Sequence, residues 1–329
     1  IQGHFIPAYE AMIQGMTALK GRGINDGGLA GARDGKQYYE YLVKTGPGLS
    51  YTVPELKEAL KARIQKDYEA LGRILRETPA AGLENASFSL TDPQAILLDL
   101  QEQMKGLFPE LSQCGYEVRQ VPSCLEASLS PAFYLIPAID NTEENIIYIN
   151  NGHMSDDISL YTTLAHEGYP GHLYQTTYFA GQNPDPIRNL LDFGGYTEGW
   201  ATYSEMLSYY FAPIEKPQAT LMQKNTSILL GLYALADMGI HYDGWSLFDT
   251  IAFFRGYGIT DTDAIEEIYD LILSDPANYL KYYIGYIEFL ELKKEAITLW
   301  GEDFSQERFH KAVLDIGPAP FDLIRKHIF

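Results

Sequence analysis

The sequence predicts a mainly helical α+β fold in which one small sheet lies beside a histidine-bearing helix. Apolar residues recur at three- and four-residue spacing from Pro54 to about Glu77, and the chain reads as helical again from Asp157 nearly to its end. Strand-like runs are confined to Tyr116–Val121, Ala132–Ile136 and Asn145–Asn150, separated by Pro, Asp and Asn turns. With 329 residues, 46% of them hydrophobic, the chain can bury a large core. A single domain over 1–329 is expected, with a helical and loop lobe at 1–110, the sheet at 111–152 and a second helical lobe at 153–329.

In chain order, the glycine-rich stretch Gly21 to Gly48, around Tyr38-Tyr39-Glu40-Tyr41, reads as loop and has no phosphate-cradling glycine spacing. Leu56, Leu60, Ile64, Tyr68, Leu71 and Leu75 then form one helical stripe that ends before Pro79. Thr91, Asp92 and Pro93 stand in cap-then-proline order and start a helix over about Asp92 to Lys105. Beyond Asp157 the helices are broken at Pro184 to Pro186, Pro213 to Pro217, the glycines near 256 and 258, Pro276, and Pro318 to Pro320. Ser227 to Ile240 is too short to span a bilayer and contains Asp237, so it reads as a buried helix.

Charge narrows the partners. Lys+Arg of 24 against Asp+Glu of 44 gives a net charge of −20, which repels phosphate backbones and anionic head groups and argues against nucleic acid. No transmembrane segment is expected. Two cysteines, Cys114 and Cys124, do not fix a compartment, and cytoplasmic and extracytoplasmic locations both stay open.

The informative stretch is Leu160-Tyr-Thr-Thr-Leu-Ala-His166-Glu167-Gly-Tyr-Pro170-Gly171-His172. A hydrolytic zinc site needs about three imidazole or carboxylate ligands, an open position for water, and a carboxylate to take that water's proton. His166 and His172 are the candidate ligands and Glu167 the candidate general base. The histidines are six residues apart, roughly 240° around a regular helix, so they converge only if the helix is widened or broken. Pro170 and Gly171 supply the means, by a missing amide donor and by backbone freedom. A third ligand is Glu198 in Thr197-Glu-Gly-Trp200, the arrangement of the glutamate-type zincins, with Glu205 supporting a ligand histidine from behind. His153, in the turn-like Asn150-Asn-Gly-His-Met-Ser, reads as a surface residue.

With those residues named, the sequence resembles the bacterial domain of unknown function family 885, which is grouped with zincin-like metallopeptidases. The marks are Gly28-Leu29 through Asp34-Gly35, Tyr38-Tyr39, the strand ending in Asn150, His166 to His172, Glu198-Gly-Trp-Ala201 with Tyr203 and Glu205, Asp237 to His241, Gly244-Trp-Ser246, Tyr282 to Gly285, and Phe309 to Gly317. The resemblance implies a zincin-like helical domain, with zinc on His166, His172 and Glu198 and with Glu167 as base. It points further to His241, which Asp237 four residues earlier would orient, and to Tyr282, each as a donor to the oxyanion. Members are usually longer, so it implies that this chain is the C-terminal portion and that an N-terminal region of the same protein completes the cleft. Where many members carry Pro-Gly-Gln-Ala this chain reads Pro276-Ala-Asn-Tyr279, and arginines common before Asp237 and Pro276 have no counterpart.

The function expected is a zinc-dependent hydrolase, most naturally a peptidase, acting on a peptide or small amide. The strand Asn145 to Asn150 is expected to lie along the cleft and pair with an extended peptide. Two alternatives stay open: a zinc amidase or esterase for a small molecule, and a non-catalytic peptide-binding or structural module.

Overall fold

A computed structural model describes residues 1–329 apart from 24, 26, 79–87, 112–113, 142 and 154–156. Helix α1 (Phe5–Leu19) precedes α2 (Gly35–Thr45), α3 (Val53–Glu77) and α4 (Pro93–Gln103). The strands β1 (Tyr116–Gln120), β2 (Ala132–Leu135) and β3 (Asn145–Ile149) follow. The remaining helices are α5 (Asp157–Glu167), α6 (His172–Gly181), α7 (Gly194–Ser208), α8 (Lys216–Met238), α9 (Leu247–Gly256), α10 (Thr262–Ser274), α11 (Asn278–Trp300), α12 (Gln306–Ile316) and α13 (Phe321–Ile328). The architecture is the predicted one, mainly helical with a small three-stranded sheet.

Local chemistry accounts for the boundaries. The Thr52 hydroxyl accepts from the Glu55 amide while the Glu55 carboxylate accepts from the Thr52 amide, so α3 starts on a reciprocal cap with Pro54 in its first turn. Its last helical residue is Glu77, and Pro79 lies outside the described residues. Asp92 caps α4 through the Ala95 amide at 2.8 Å, with Pro93 at the first helical position. The tyrosine-rich segment read as loop is helical instead. Tyr39 and Val43, four apart, are both buried and make α2 an inward-facing helix that glycine content concealed.

In the sheet β3 is central, parallel to β1 and antiparallel to β2. Asn145 to Ile149 is therefore paired on both edges, and no edge of it is left for a peptide, contrary to the expectation from sequence. The free edge next to the helices belongs to β2. Pro131 accepts from the Asn150 amide, which sets the alternation: Phe133 and Leu135 bond towards β3, while Ala132 and Tyr134 turn their amides away from it.

The core is continuous from Tyr39 on α2 to Ile324 on α13. At its centre α7 crosses α11 with backbones nearly touching: a Cβ on Gly199 would stand 2.5 Å from Gly285, and one on Gly285 would stand 2.0 Å from the Gly195 carbonyl. Only glycines permit this approach. Among the described residues no helix is long and apolar enough to cross a membrane, and both Cys114 and Cys124 are free thiols.

Candidate functional site

The helix carrying His166 and Glu167 ends at Glu167, and α6 begins at His172. The chain between them breaks rather than widens, with a cis Tyr169–Pro170 peptide. A Cβ on Gly171 would lie 1.8 Å from the His166 carbonyl and 2.4 Å from that of Ala165, so the turn closes only with glycine there. The turn is anchored from α7, because the Trp200 indole donates to the Pro170 carbonyl at 2.8 Å and the Ser204 hydroxyl at 3.3 Å. Trp200, fully buried, thus fixes the turn that brings His172 round.

The same helix delivers the carboxylates. Glu198 and Glu205 are seven residues apart, two turns of α7, and so share a face. Glu198 Oε2 stands 3.3 Å from His172 Nε2 and 3.7 Å from His166 Nε2, and the two imidazole rings are 4.9 Å apart at 80°. Glu205 Oε2 meets His166 Nδ1 at 3.1 Å, which leaves Nε2 facing inward. Ligand atoms around a tetrahedral ion at about 2.1 Å lie about 3.4 Å from one another, the spacing seen between carboxylate and imidazoles. Glu198 Oε2 is buried without a well-formed hydrogen bond. An oxygen so placed costs folding energy unless something occupies its lone pairs, and the two-imidazole, one-carboxylate set fits a zinc-like cation.

Electrostatics match this geometry. Burial works against ionisation of Glu198, but the His166 and His172 imidazoles outweigh it and hold the carboxyl well below the usual range. Burial likewise disfavours charge on His166, and Glu198 and Glu205 outweigh it and raise that imidazole well above its ordinary value. The opposed directions of the two shifts reflect the attraction between the buried carboxylates and the imidazoles.

Glu167 lies beside the pair, its carboxylate and the two imidazoles offering ligand atoms all within 4.8 Å of one another. Its Oε2 accepts from the Tyr134 amide at 2.8 Å, one of the β2 groups turned away from β3. Tyr282, on α11, stacks near-parallel on His166 with ring centres 6.2 Å apart. Burial first, then the carboxylates of Glu198 and Glu167, push its phenol far above the ordinary value, so it stays a proton donor. These residues border a cleft of about 730 Å³ walled by β2 on one side and by α6, α7 and α11 on the other.

His241 lies elsewhere. Its Nδ1 accepts from the Leu29 amide at 3.1 Å, its Nε2 donates to the Ile272 carbonyl at 2.8 Å, and its ring stacks on Tyr39, so neither nitrogen is open to an oxyanion. Asp237 does not orient it. That carboxylate accepts from the Tyr39 hydroxyl at 2.5 Å and the Ala277 amide at 3.0 Å, and burial raises it to about 7. The reason is a π-helical turn over Gly239–Asp243, where residues four apart no longer stack. Asp237 and His241 thus serve, with separate partners, a structural junction between α2, α8 and α10. His153 is exposed and bonds the Glu126 carbonyl, as expected of a surface residue. Sequence reasoning missed the cleft-facing edge of β2 and Asp192, which also borders the cleft, because neither carries a motif.

Among solved structures, the fold is shared by a "putative lipoprotein" from Colwellia psychrerythraea, 21% identical, with TM-score 0.83 over 99% of this chain and 60% of that one. A second, a "putative lipoprotein of unknown function" from Shewanella oneidensis, is 19% identical, with TM-score 0.75 over 96% of this chain and 63% of that one. The chain thus spans less than two thirds of the length of either. No curated protein matches the sequence. The bacterial protein family of unknown function DUF885 matches residues 1–328, and the chain belongs to that family.

Proposed function

We propose that this chain is the catalytic portion of a zinc-dependent hydrolase acting on peptide bonds. The observation that carries the reading is the convergence of His166 Nε2 and His172 Nε2 on the Glu198 carboxylate, with Glu205 holding the outer nitrogen of His166. His166, His172 and Glu198 would hold the ion, which when bound supplies Lewis acidity that acidifies water and polarises a carbonyl.

The rest is done by side chains and backbone. Glu167, fixed by the Tyr134 amide, takes the proton of the attacking water and returns it to the leaving amine. Tyr282, kept protonated, donates to the oxyanion that develops on the scissile carbonyl. The amide of Ala132 faces the cleft and can pair with an extended substrate, the role sequence had assigned to β3.

Elemental analysis of the purified chain tests the reading. One zinc per chain is expected, lost in His166→Ala and in Glu198→Ala; absence of metal after zinc reconstitution of the unaltered chain refutes it. Glu205→Gln is expected to keep the ion but weaken it about 10- to 100-fold in competition with a chelator, because the imidazole loses its charged anchor. An unchanged affinity would reduce Glu205 to a bystander.

A further inference from the structure

The cleft is chemically one-sided. Glu167, Asp192, Glu198 and Glu205 border it, and among the described residues no lysine or arginine does. Three of these acids are engaged: Glu167 with the Tyr134 amide, Glu205 with His166, and Glu198 with the imidazole pair. Asp192 is exposed and has no hydrogen-bond or ion-pair partner among the described residues. Against the two positive charges of a divalent ion the four carboxylates leave two negative charges in excess, and Asp192 is the one of the four without a partner among the described residues. The cleft also has apolar lining, with Leu191, next to Asp192 in sequence, 47% exposed, Ile136 69% exposed and Phe133 half-buried.

Away from the metal ligands, a substrate's free C-terminal carboxylate would meet no lysine or arginine among the described lining residues and would be repelled by Asp192. A positively charged group would find a carboxylate with no competing partner. We propose, resting on the peptidase reading, that the cleft accepts an extended peptide carrying positive charge next to an apolar residue, and that Asp192 is the specificity-determining residue. The charge is either an N-terminal ammonium or a Lys or Arg side chain.

The test uses matched fluorogenic peptides with a central Lys, Gln or Glu, each with free and acetylated N terminus and with free and amidated C terminus. Hydrolysis is measured on the zinc-loaded chain, and binding of the same peptides on Glu167→Gln. Lys over Glu by about tenfold in kcat/KM, carried by KM and shrinking as salt rises, is the expected result. Asp192→Asn should narrow that ratio and Asp192→Lys should invert it. Similar values for Lys and Glu that both fall on acetylation would instead identify the terminal ammonium as the charge recognised. Equal treatment of Lys and Glu together with indifference to N-terminal acetylation, a charge preference untouched by Asp192→Asn, or a requirement for the free C terminus overturns the proposal. If no peptide is cleaved, the peptidase reading fails by itself, and the order of binding to Glu167→Gln still decides the charge selection; absence of binding to any peptide overturns both.

Discussion

Replacing Glu167 by Gln is expected to leave one zinc per chain while lowering kcat on any peptide substrate by about 10²- to 10⁴-fold. Gln has the same shape, and its carbonyl oxygen can still accept from the Tyr134 amide, so the β2 contact survives. Only the capacity to take a proton is lost. Metal analysis run alongside the kinetics separates two donor sets, because Glu167 offers a ligand atom within 4.8 Å of both histidines just as Glu198 lies close to both. Zinc lost in Glu167→Gln and kept in Glu198→Ala would make Glu167 the ligand. Undiminished turnover in a zinc-loaded Glu167→Gln protein would remove the general base altogether.

The second large effect is expected from a residue with no chemistry of its own. A methyl group on Gly171 would overlap the His166 and Ala165 carbonyls, at 1.8 and 2.4 Å, and neither can retreat, since both belong to the last turn of α5. The Pro170 carbonyl next to it is held by Trp200 and Ser204. Gly171→Ala is therefore expected to cost about 3 kcal/mol by overpacking, and to lower the melting temperature by about 4 °C. It should also swing His172 away from Glu198, with zinc affinity falling more steeply than stability. Gly181→Ala, at a position where an added Cβ meets nothing within 4 Å, is the matched control and should change neither. Calorimetry and chelator competition on both variants check this, and a Gly171→Ala protein with unaltered zinc affinity would show that the turn does not set the ligand geometry.

The elements whose signal is local were legible in the sequence. The α3 stripe and its cap, the Asp92-Pro93 start of α4, and the three strands fall within one or two residues of expectation, because periodicity and capping are properties of a few adjacent side chains. The distorted spacing from His166 to His172 announced its own break through Pro170 and Gly171. Strand order was not legible, since nothing in Asn145 to Ile149 says which neighbours flank it, and its alternation suits a central strand as well as an edge. Helix α2 was hidden by flanking glycines, although Tyr39 and Val43 keep helical spacing. His241 was misplaced for a different reason. Its four-residue offset from Asp237 implies a shared face only in a regular α-helix, and the π-turn is a product of packing at the α8 terminus.

The glycine-lined crossing of α7 and α11 bears on motion. Glu198 rides on one helix and Tyr282 on the other, and contact at Gly195, Gly199 and Gly285 leaves no slack for one helix to slide past the other. The two side chains therefore move as one body. The opposite wall, β2, is tied near the reacting groups to α5, which packs on α7, through the amide of Tyr134 and the carboxylate of Glu167. Breathing of the cleft is therefore expected at the sheet rather than at the helix crossing. Hydrogen exchange should show slow amides along α7 and α11 and a faster, ligand-sensitive one at Tyr134.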